Sequence, residues 1–590
     1  MLNETKICQN CKKNFVIELE DFDFYKKIDV PPPTFCPECR MIRRWIWRNE
    51  HNLFRRKDAI SGKDIFSNFP SQVEAKITDQ VYWASDEWDP LEYGRDYDFS
   101  KNFFEQFKEL LNEVPWPAKS VQRMINSDYS DQASDLKNCY LCFSGDVGED
   151  SAYCVNFSNL KDCFDLRETG GCELSYDSMI IGSSYRVFFT TNSENCRDVW
   201  FSKDCTGCSN CFGCVGLRNK QYYIWNEPYS KEEYFEKLRS FNLGSYEHLD
   251  KLRKKAHEFW KKFPVKYMHA VRNANCTGEA IWGSKNVRDS YSVLDSENMR
   301  YCQLVYNKST DSYDYTVWGN AVSEMYESVT CGEQCSRIKF SWECWPGCKD
   351  LEYSMFCRSS SDLFGCVGLK KKQYCILNKL YPEEEYKELR EKIVKHMNEK
   401  PYVSQRTANK EQLIYKYGEF FPPEFSPFAY NETICQDYFA LSEVEAKSKG
   451  FLWREPELRE FETSMDAKDL PDNIEDVKDD ILKEIIKCSS CGQAYRIIAA
   501  ELGFLRRMGL PLPRLCPSCR YIERFRFINR PNFWKRECEC AGAHSDNDVY
   551  KNAVSHFHGS GHCPNEFKTA YNPAKGDIVY CEQCYQSEMV

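Results

Sequence analysis

The chain has 590 residues, 33 cysteines and a formal net charge of −11. Its length indicates several domains, and its acidic balance excludes a polycation that coats nucleic acid, so any such contact would need local basic patches. No apolar leader and no apolar run long enough to span a bilayer is evident, and an odd cysteine count with zinc-type spacing indicates a reducing compartment. We therefore expect a cytoplasmic protein.

The first element, residues 1–57, is predicted to be a zinc ribbon. The knuckle Cys8-x2-Cys11 is followed after 24 residues by the knuckle Cys36-Pro-Glu-Cys39. Two such knuckles can direct four thiolates at one tetrahedral zinc ion. A closed site of this kind keeps no open coordination position, which favours scaffolding or binding over metal catalysis.

A run of basic and aromatic residues follows the second knuckle. Residues 40–57 carry seven basic side chains against one acidic side chain. Arginine beside aromatic rings can pair with phosphates while the rings stack on bases. Contact with a partner protein and a solvated face over a small aromatic core are the alternatives. The candidate nucleic-acid contacts here are Arg40, Arg43, Arg44, Trp45, Trp47 and Arg48.

After an aromatic-rich connecting segment with a helix (58–119), the middle of the chain is a repeat. Aromatic residues recur about every twelve positions, as at Tyr140, Tyr153, Phe164 and Tyr176, beside Asn or Asp turns and short apolar runs. A unit that cannot bury its own face stacks on its neighbours. We predict a parallel β-solenoid with roughly 24 residues per coil, if two strands form each coil.

A longer duplication divides the repeat into two blocks. Phe212-Gly-Cys-Val-Gly-Leu217 recurs as Phe364-Gly-Cys-Val-Gly-Leu369, and each copy is followed by a charged segment of helical pattern. This predicts β-solenoid block 1 (120–229), a helical segment (230–271), β-solenoid block 2 (272–381) and a helix (382–400). A helix after each block would cover an exposed sheet edge.

The duplication also bears on the central cysteines. Four thiols at a spacing of three could bind an iron–sulfur cluster or zinc, but the second copy has Cys357, Ser360, Leu363 and Cys366 at the matching positions. This favours cysteine as a small buried residue. A metal site in the first copy stays open as the alternative. The four thiols are Cys205, Cys208, Cys211 and Cys214.

The last third of the chain repeats the zinc pattern. A predicted linker (401–480) precedes a second ribbon (481–536), in which Cys488-x2-Cys491 is followed after 24 residues by Cys516-Pro-Ser-Cys519. Residues 514–536 again carry seven basic side chains against one acidic. The candidate nucleic-acid contacts in this ribbon are Arg520, Arg524 and Arg526.

A third cysteine group closes the chain as a predicted C-terminal ribbon (537–590). Cys563, Cys581 and Cys584 have the spacing of a hairpin that ends in a knuckle. The fourth ligand is open between Cys538 and Cys540, with His562 a weaker candidate. Four histidines in this stretch could mark a catalytic metal, surface side chains or a second, looser metal site; they lack the HExxH spacing of a zinc protease helix.

The chain resembles a family of uncharacterised cysteine-rich proteins from ultrasmall candidate-phyla bacteria. The segments that carry the resemblance are ICQNCKKNFVIELEDFDFY…PPTFCPECR, WDPLEYGRDYDF (88–99), the FGCVGL repeats, YGEFFPPEFSPF (417–428) and IVYCEQCYQSE (578–588). The resemblance implies treble-clef or zinc-ribbon domains at both ends of a repeat region, and it implies no activity.

The sequence thus predicts a multidomain, mainly β protein that binds three zinc ions. The first functional hypothesis is a non-enzymatic scaffold that contacts RNA, DNA or a nucleoprotein through the two basic faces. The second is a protein-interaction scaffold that uses the solenoid surface. The third is a β-helix enzyme, although no phosphate-binding glycine loop or nucleophile elbow is evident.

Overall fold

The computed structural model describes residues 3–404, 412–455 and 461–589. The chain forms two compact units, and each unit takes its segments from distant parts of the sequence. Unit 1 comprises residues 1–119 and 268–455, and unit 2 comprises residues 120–267 and 456–590. Each unit therefore combines a cysteine-rich terminal segment with the solenoid block from the other half of the chain.

Unit 1 contains the first ribbon, solenoid block 2 and the helices that pack on them. The solenoid strands are Ala270–Val271, Gly278–Trp282, Lys285–Arg288, Ser290–Leu294, Glu297–Arg300, Gln303–Val305, Thr310–Trp318, Tyr326–Val329, Ser336–Lys339, Lys349–Glu352, Ser361–Phe364, Gln373–Ile376 and Lys379–Leu380. The α-helices are Leu19–Lys27, Pro37–Trp45, Gln80–Ala84, Phe103–Glu113, Glu383–Glu399, Ile434–Tyr438 and Glu443–Ser448. Short paired strands are Glu4–Ile7 with Asn14–Ile17, Phe54–Lys57 with Asp64–Ser67, Ile77–Thr78 with Trp116–Pro117, and Tyr402–Val403 with Ile414–Tyr415.

Unit 2 contains solenoid block 1, the second ribbon and the C-terminal cysteine group. The solenoid strands are Val121–Gln122, Asp131–Lys137, Phe143–Glu149, Val155–Lys161, Phe164–Glu173, Tyr176–Gly182, Tyr185–Phe188, Thr191–Glu194, Arg197–Trp200, Ser209–Phe212, Gln221–Ile224 and Glu227–Pro228. The α-helices are Lys231–Ser240, Tyr246–Trp260, Ala499–Met508, Pro517–Phe525 and Glu582–Met589. The remaining strands are Val265–Lys266 with Val579–Tyr580, Met465–Asp466 with Ile486–Lys487 and Ala494–Tyr495, and Trp534–Glu537 with Glu566–Thr569.

The structure confirms the predicted mainly β class and the parallel solenoid, but the predicted coil length is wrong. Val155 pairs in parallel with Arg167, and the side-chain ladders between coils join residues 12 apart. In block 2 some coils have one more residue, as where Tyr313 pairs with Tyr326. The aromatic period seen in the sequence is therefore one whole coil rather than half of one.

A left-handed backbone conformation at every third position explains how so short a coil closes. In one coil Asn156, Asn159, Asp162 and Asp165 all have φ between 51° and 59°. Asn and Asp tolerate this region better than most other residues. Four such corners turn the chain through one full circuit, and the ladder hydrogen bonds between coils offset their strain.

The side chain of the residue after each corner points into the coil interior. At most of these positions it is a small side chain or one unbranched at Cβ, such as serine, cysteine or leucine. Cys154, Leu160 and Cys163 belong to the buried cluster of block 1. Interior serines accept hydrogen bonds from the next coil, as where Ser127 Oγ accepts from the backbone N–H of Cys139 at 3.0 Å. The interior of a twelve-residue coil has little room, which accounts for the many cysteines and serines in the middle of the chain.

The segment predicted to be a linker also contributes to a core. Phe420 and Phe421 are fully buried in unit 1, and the Phe421 ring lies 5.1 Å from the Phe107 ring. Residues 405–411 and 456–460 of that prediction lie outside the described residues. Within the described ranges, no helix is long and apolar enough to cross a membrane.

One interior position offers a direct test of the coil packing. A Cβ atom added at Gly145 would overlap the ring of Phe157, which occupies the space that Gly145 leaves in the preceding coil. We expect Gly145→Ala to destabilise unit 2 by about 1–3 kcal/mol, the usual cost of overpacking. Adding Phe157→Leu should recover most of that loss, measured as the midpoint of denaturant unfolding. The control is Gly170→Ala, whose Cβ would meet only Ser158 Oγ at 3.1 Å. Simple additivity of the two changes would contradict this packing.

Candidate metal centres and the buried arginine clusters

The first ribbon brings its four cysteines to one point. Cys8 and Cys11 lie in the turn of the antiparallel hairpin, and Cys36 is the N-cap of helix Pro37–Trp45, which places Cys39 in the first turn. The four sulfur atoms lie within 4.8 Å of one another. This knuckle–hairpin–helix order is a treble-clef arrangement, and a metal ion could bind there.

The second ribbon and the C-terminal group form matching clusters. Cys516 caps helix Pro517–Phe525 as Cys36 caps its helix. In the C-terminal group the fourth cysteine is Cys538, which decides the ambiguity left by the sequence; Cys540 belongs to a second group nearby. His562 is not part of either group, and its Nε2 pairs with Asp546 at 2.9 Å. The two clusters are Cys488, Cys491, Cys516, Cys519 and Cys538, Cys563, Cys581, Cys584.

The sulfur spacing fits tetrahedral coordination. Metal–sulfur bonds of about 2.3 Å at tetrahedral angles separate two sulfur atoms by about 3.8 Å. The observed separations are 3.6 Å for Cys11–Cys36, 3.7 Å for Cys491–Cys516 and 3.9 Å for Cys563–Cys581. One sulfur pair in each cluster therefore has the separation expected at a four-thiolate site, and the other sulfur atoms of each cluster lie within 4.8 Å.

Backbone N–H groups support the thiolate form in each cluster. The Cys36 N–H donates to Cys8 Sγ at 3.2 Å, the Cys516 N–H to Cys488 Sγ at 3.3 Å, and the Cys581 N–H to Cys538 Sγ at 3.1 Å. The hydrogen bond between the Cys538 and Cys581 side chains lowers the pKa of Cys581 and raises the pKa of Cys538, so Cys581 is the first of the two to ionise. Burial alone would raise the pKa of Cys488, but the N–H groups of Cys491 and Cys516 lower it to about 7. Metal ions bind the deprotonated thiolate, so these hydrogen bonds prepare the ligands.

The four central cysteines form no such cluster. Cys205, Cys208, Cys211 and Cys214 are buried in the coil interior, where each thiol donates to the carbonyl oxygen two residues earlier, as Cys205 does to Lys203 at 3.4 Å. Among the described residues they are not in any group of three or more ligand side chains. The structure therefore favours the small-residue interpretation of these positions.

The predicted nucleic-acid faces are turned inward. In unit 1, Arg40, Arg43, Arg44, Trp45, Trp47 and Arg48 are each at most 3% exposed, and in unit 2 Arg520 and Arg524 are 7% and 4% exposed. Only Arg526 of the nine predicted contacts has an exposed side chain, at 67%. Eight of the nine side chains are therefore buried, and these eight do not form an exposed basic face in this structure.

The physical reason in unit 1 is a buried ion-pair cluster between the ribbon helix and the solenoid. Arg40 and Arg44 both pair with Asp314, at 2.9 and 3.0 Å, and Arg44 also lies 3.3 Å from Glu327. Arg43 bridges Glu327 and Glu419 at 2.7 Å each. Three guanidinium groups thus face three carboxylates, and the cluster is neutral in charge.

Unit 2 repeats the arrangement with different partners. Arg520 pairs with Asp165 at 3.2 Å and with Glu501 at 2.5 Å, while Arg524 pairs with Asp165 at 2.9 Å and with Asp177 at 3.2 Å. Asp165 and Asp177 occupy corners of successive coils, with φ of 59° and 45°. Asp314 and Glu327 hold the corresponding corners in unit 1, with φ of 51° and 44°.

Sequence reasoning missed these acidic partners, although a signal was present. The four corner acids each come directly after an aromatic residue, as Phe164-Asp165 and Tyr176-Asp177 do on successive coils of block 1. The aromatic rings also pack against the ribbon, because Phe164 lies 4.8 Å from Phe504. An aromatic–acid pair repeated on two coils therefore marks where a ribbon docks.

A small cavity in unit 2 bears on the enzyme hypothesis. Asp177, Arg253, His257 and Arg524 contribute to its lining, and its volume is about 90 Å³. Burial lowers the pKa of His257 to about 4, so its imidazole is neutral near pH 7. A space of this size holds a few water molecules rather than a substrate.

Comparisons with known proteins give no family assignment. No family model matches the chain, and no curated protein matches it. One solved structure, described as a "putative acetyltransferase" from Desulfovibrio desulfuricans G20, is similar at 9% identity over 52% of this chain and 76% of that chain, with a TM-score of 0.11. A similarity at that level carries no argument for fold or activity. The resemblance to cysteine-rich proteins of ultrasmall bacteria stays a prediction.

The buried clusters can be tested by removing one cation. Arg44→Ala removes one of the positive charges that offset the buried carboxylates of Asp314 and Glu327. We therefore expect the free energy of unfolding of unit 1 to fall by about 3–5 kcal/mol. The matched control, Arg526→Ala, removes an exposed arginine and should cost no more than about 0.5 kcal/mol. The midpoint of denaturant unfolding measures both. Equal small effects of the two substitutions would show that the cluster does not hold the ribbon.

Proposed function

We propose that the protein is a non-enzymatic scaffold in which a zinc-bound ribbon is attached to the solenoid of each unit. Three clusters of four cysteines, whose sulfur atoms lie within 4.8 Å of one another, support it. Zinc suits this donor set because it has no geometric preference against a tetrahedron and binds thiolates well. Four protein ligands leave no position for a substrate, as in structural rather than catalytic zinc sites.

The role of the ribbons follows from one observation, the burial of their arginines against solenoid carboxylates. Cys36 and Cys516 are each a proposed metal ligand and the N-cap of a helix. A bound metal ion would therefore fix the position at which each helix begins. The helix then presents arginines one turn apart to acids on successive coils. In this proposal zinc positions an internal attachment, and the basic residues that follow the knuckles serve the fold instead of a nucleic acid.

The partner surface that we propose is an exposed ladder of amide side chains along the solenoid. In block 1, Asn126 Nδ2 donates to Asn138 at 3.1 Å, and Asn138 Nδ2 donates to Asp150 at 2.9 Å. Block 2 has the same feature, with Asn275, Asn286, Asn298 and Asp311 joined in the same way. A regular array of donors and acceptors on a rigid support suits an extended protein partner.

The zinc role predicts a specific response to chelation. A strong zinc chelator should unfold the three cysteine clusters, because binding free energy at structural sites is folding free energy. Among the described residues, the groups that could hold a metal ion contain no residue of the solenoid blocks. The far-ultraviolet signal of the solenoid strands should therefore largely persist while the ribbons become sensitive to protease. Retention of protease-resistant ribbons after complete zinc removal would contradict the structural role.

The choice between nucleic acid and protein partners can be tested by binding. We expect no binding of a 30-nucleotide RNA or DNA by fluorescence anisotropy at about 50 mM salt, where phosphate contacts are strong. A protein partner should instead be recovered from lysate in equal amounts with and without nuclease treatment. The variant Asn126→Gly/Asn138→Gly should recover less of that partner than the unsubstituted chain does. Glycine keeps the left-handed corner while removing the amide.

The control for this experiment is Asn192→Gly, which changes a half-buried corner away from the exposed ladder. It should retain the partner. Salt-sensitive nucleic-acid binding that is reduced by Arg526→Ala, or a partner that is recovered only with intact nucleic acid, would favour the nucleic-acid hypothesis.

A further inference from the structure

A second group of metal-ligand side chains adjoins the C-terminal cysteine cluster. Cys540, His556, His558 and Cys584 offer ligand atoms that lie within 4.8 Å of one another. Cys584 belongs both to this group and to the cluster of Cys538, Cys563 and Cys581. Two tetrahedral ligand sets therefore meet at one sulfur atom.

The first independent observation is the state of His556. Its side chain is fully buried, and neither ring nitrogen has a hydrogen-bond partner among the described residues. The carboxylate of Glu588 lies beside the ring, with Oε2 at 3.5 Å from Nε2. A buried imidazole without hydrogen bonds is costly, and a metal ion bound to one nitrogen would remove that cost while Glu588 orients the ring.

The second observation is the orientation of His558. Its Nδ1 lies 2.8 Å from the carbonyl oxygen of Gly561, which can only accept, so Nδ1 carries the proton. The lone pair is then on Nε2, which lies 3.4 Å from Cys584 Sγ. A histidine whose other nitrogen donates to a carbonyl is the usual arrangement of a metal ligand.

The sulfur of Cys540 accepts a hydrogen bond, as the sulfur atoms of Cys8, Cys488 and Cys538 do in the four-cysteine clusters. It is fully buried, and Asn552 Nδ2 donates to its sulfur at 3.3 Å. Asn552 is itself fixed, because Tyr580 donates to its Oδ1 at 2.8 Å and its Nδ2 also donates to the Gly542 carbonyl at 2.8 Å. Each ligand of the second set thus has a supporting contact.

We propose that the C-terminal ribbon holds a binuclear zinc centre in which the Cys584 thiolate bridges the two ions. Cys538, Cys563 and Cys581 complete the first ion, and Cys540, His556 and His558 complete the second. Five thiolates then offset the charge of two divalent ions with one negative charge left over. The bridge leaves both ions with four protein ligands and no open position.

The second ion has a structural task. Residues 541–562 contain only isolated bridges, Cys540 with Ser545 and His544 with Lys551, among the described strand pairings. A loop with so little backbone pairing needs another constraint. Ligands at Cys540 and at His556 and His558 join both ends of this loop to the knuckle.

The zinc content of the full-length chain, purified under reducing conditions, tests the proposal. We expect four zinc ions per chain. His558→Ala should retain three, whereas His562→Ala, an exposed histidine of the same loop that pairs with Asp546, should retain four. Cys584→Ala should lose two ions because it removes the bridge, and Cys563→Ala should lose one. Only folded, monodisperse fractions are compared.

A spectroscopic measurement on the unsubstituted chain avoids any effect of the variants on folding. With ¹¹³Cd in place of zinc, one thiolate bound to two ions should produce scalar coupling between two cadmium resonances. Three ions per chain, or four without that coupling, would overturn the bridged centre. This result is separate from the proposed function, because the two matched four-cysteine clusters and the arginine clusters do not depend on it.

Discussion

The twelve-residue coil is the constraint on which the rest of the structure depends. A left-handed residue at every third position sets four corners per coil, and the interior that remains accepts mainly small side chains. Cysteine and serine meet this limit in different ways: the thiol fills apolar space, and the hydroxyl accepts an N–H group from the next coil. Where a large ring enters, as at Phe157, glycines of the preceding coil make room. The high cysteine content therefore has two separate causes, coil packing in the middle and metal ligation in the ribbons.

The same coil also determines how a ribbon can attach. Neighbouring coils are about 4.8 Å apart, and two helix residues four positions apart are separated by about 6 Å along the axis. Arg40 and Arg44, or Arg520 and Arg524, can therefore reach corner acids on successive coils. A buried ion pair is weak evidence for stability by itself, but it imposes register. In the observed placement of each helix, every one of the four corner carboxylates has an arginine partner. A cysteine of each candidate metal site is the N-cap of the same helix. The metal site would therefore fix the start of the helix, and the ion pairs fix the face of the helix that packs on the solenoid.

Sequence reasoning recovered what short-range patterns encode and missed what depends on pairing between distant segments. The spacing of Cys8, Cys11, Cys36 and Cys39 was sufficient for a metal cluster, because knuckle geometry is local. The repeat was evident in the sequence, but a period of twelve residues can correspond to one coil or to half of a coil. The backbone conformations at the corners determine which of the two coil lengths is adopted. The basic run after each knuckle has the composition of a nucleic-acid surface, yet its carboxylate partners on the solenoid lie more than two hundred residues away in sequence. The ligands His556 and His558 were visible as a cluster, but their pairing with Cys540 depends on the fold of a loop with no regular structure.

Unit 1 has a hairpin that corresponds to the one at the proposed C-terminal centre of unit 2. In unit 1 the strand Phe54–Lys57 is followed by Asp58, as Trp534–Glu537 is followed by Cys538 in unit 2. The N–H of Asp79 donates to the Asp58 carboxylate at 2.5 Å, and the N–H of Cys581 donates to Cys538 Sγ at 3.1 Å. Burial alone would raise the pKa of Asp58, but the N–H groups of Ser61 and Asp79 lower it to about 2. A single ionised carboxylate thus closes the short turn of unit 1 through hydrogen bonds. Unit 2 has a longer loop between the corresponding strands, Trp534–Glu537 and Glu566–Thr569. In the proposed binuclear centre, two ions with seven ligands would constrain that loop at several points, where a single side chain would constrain it at one.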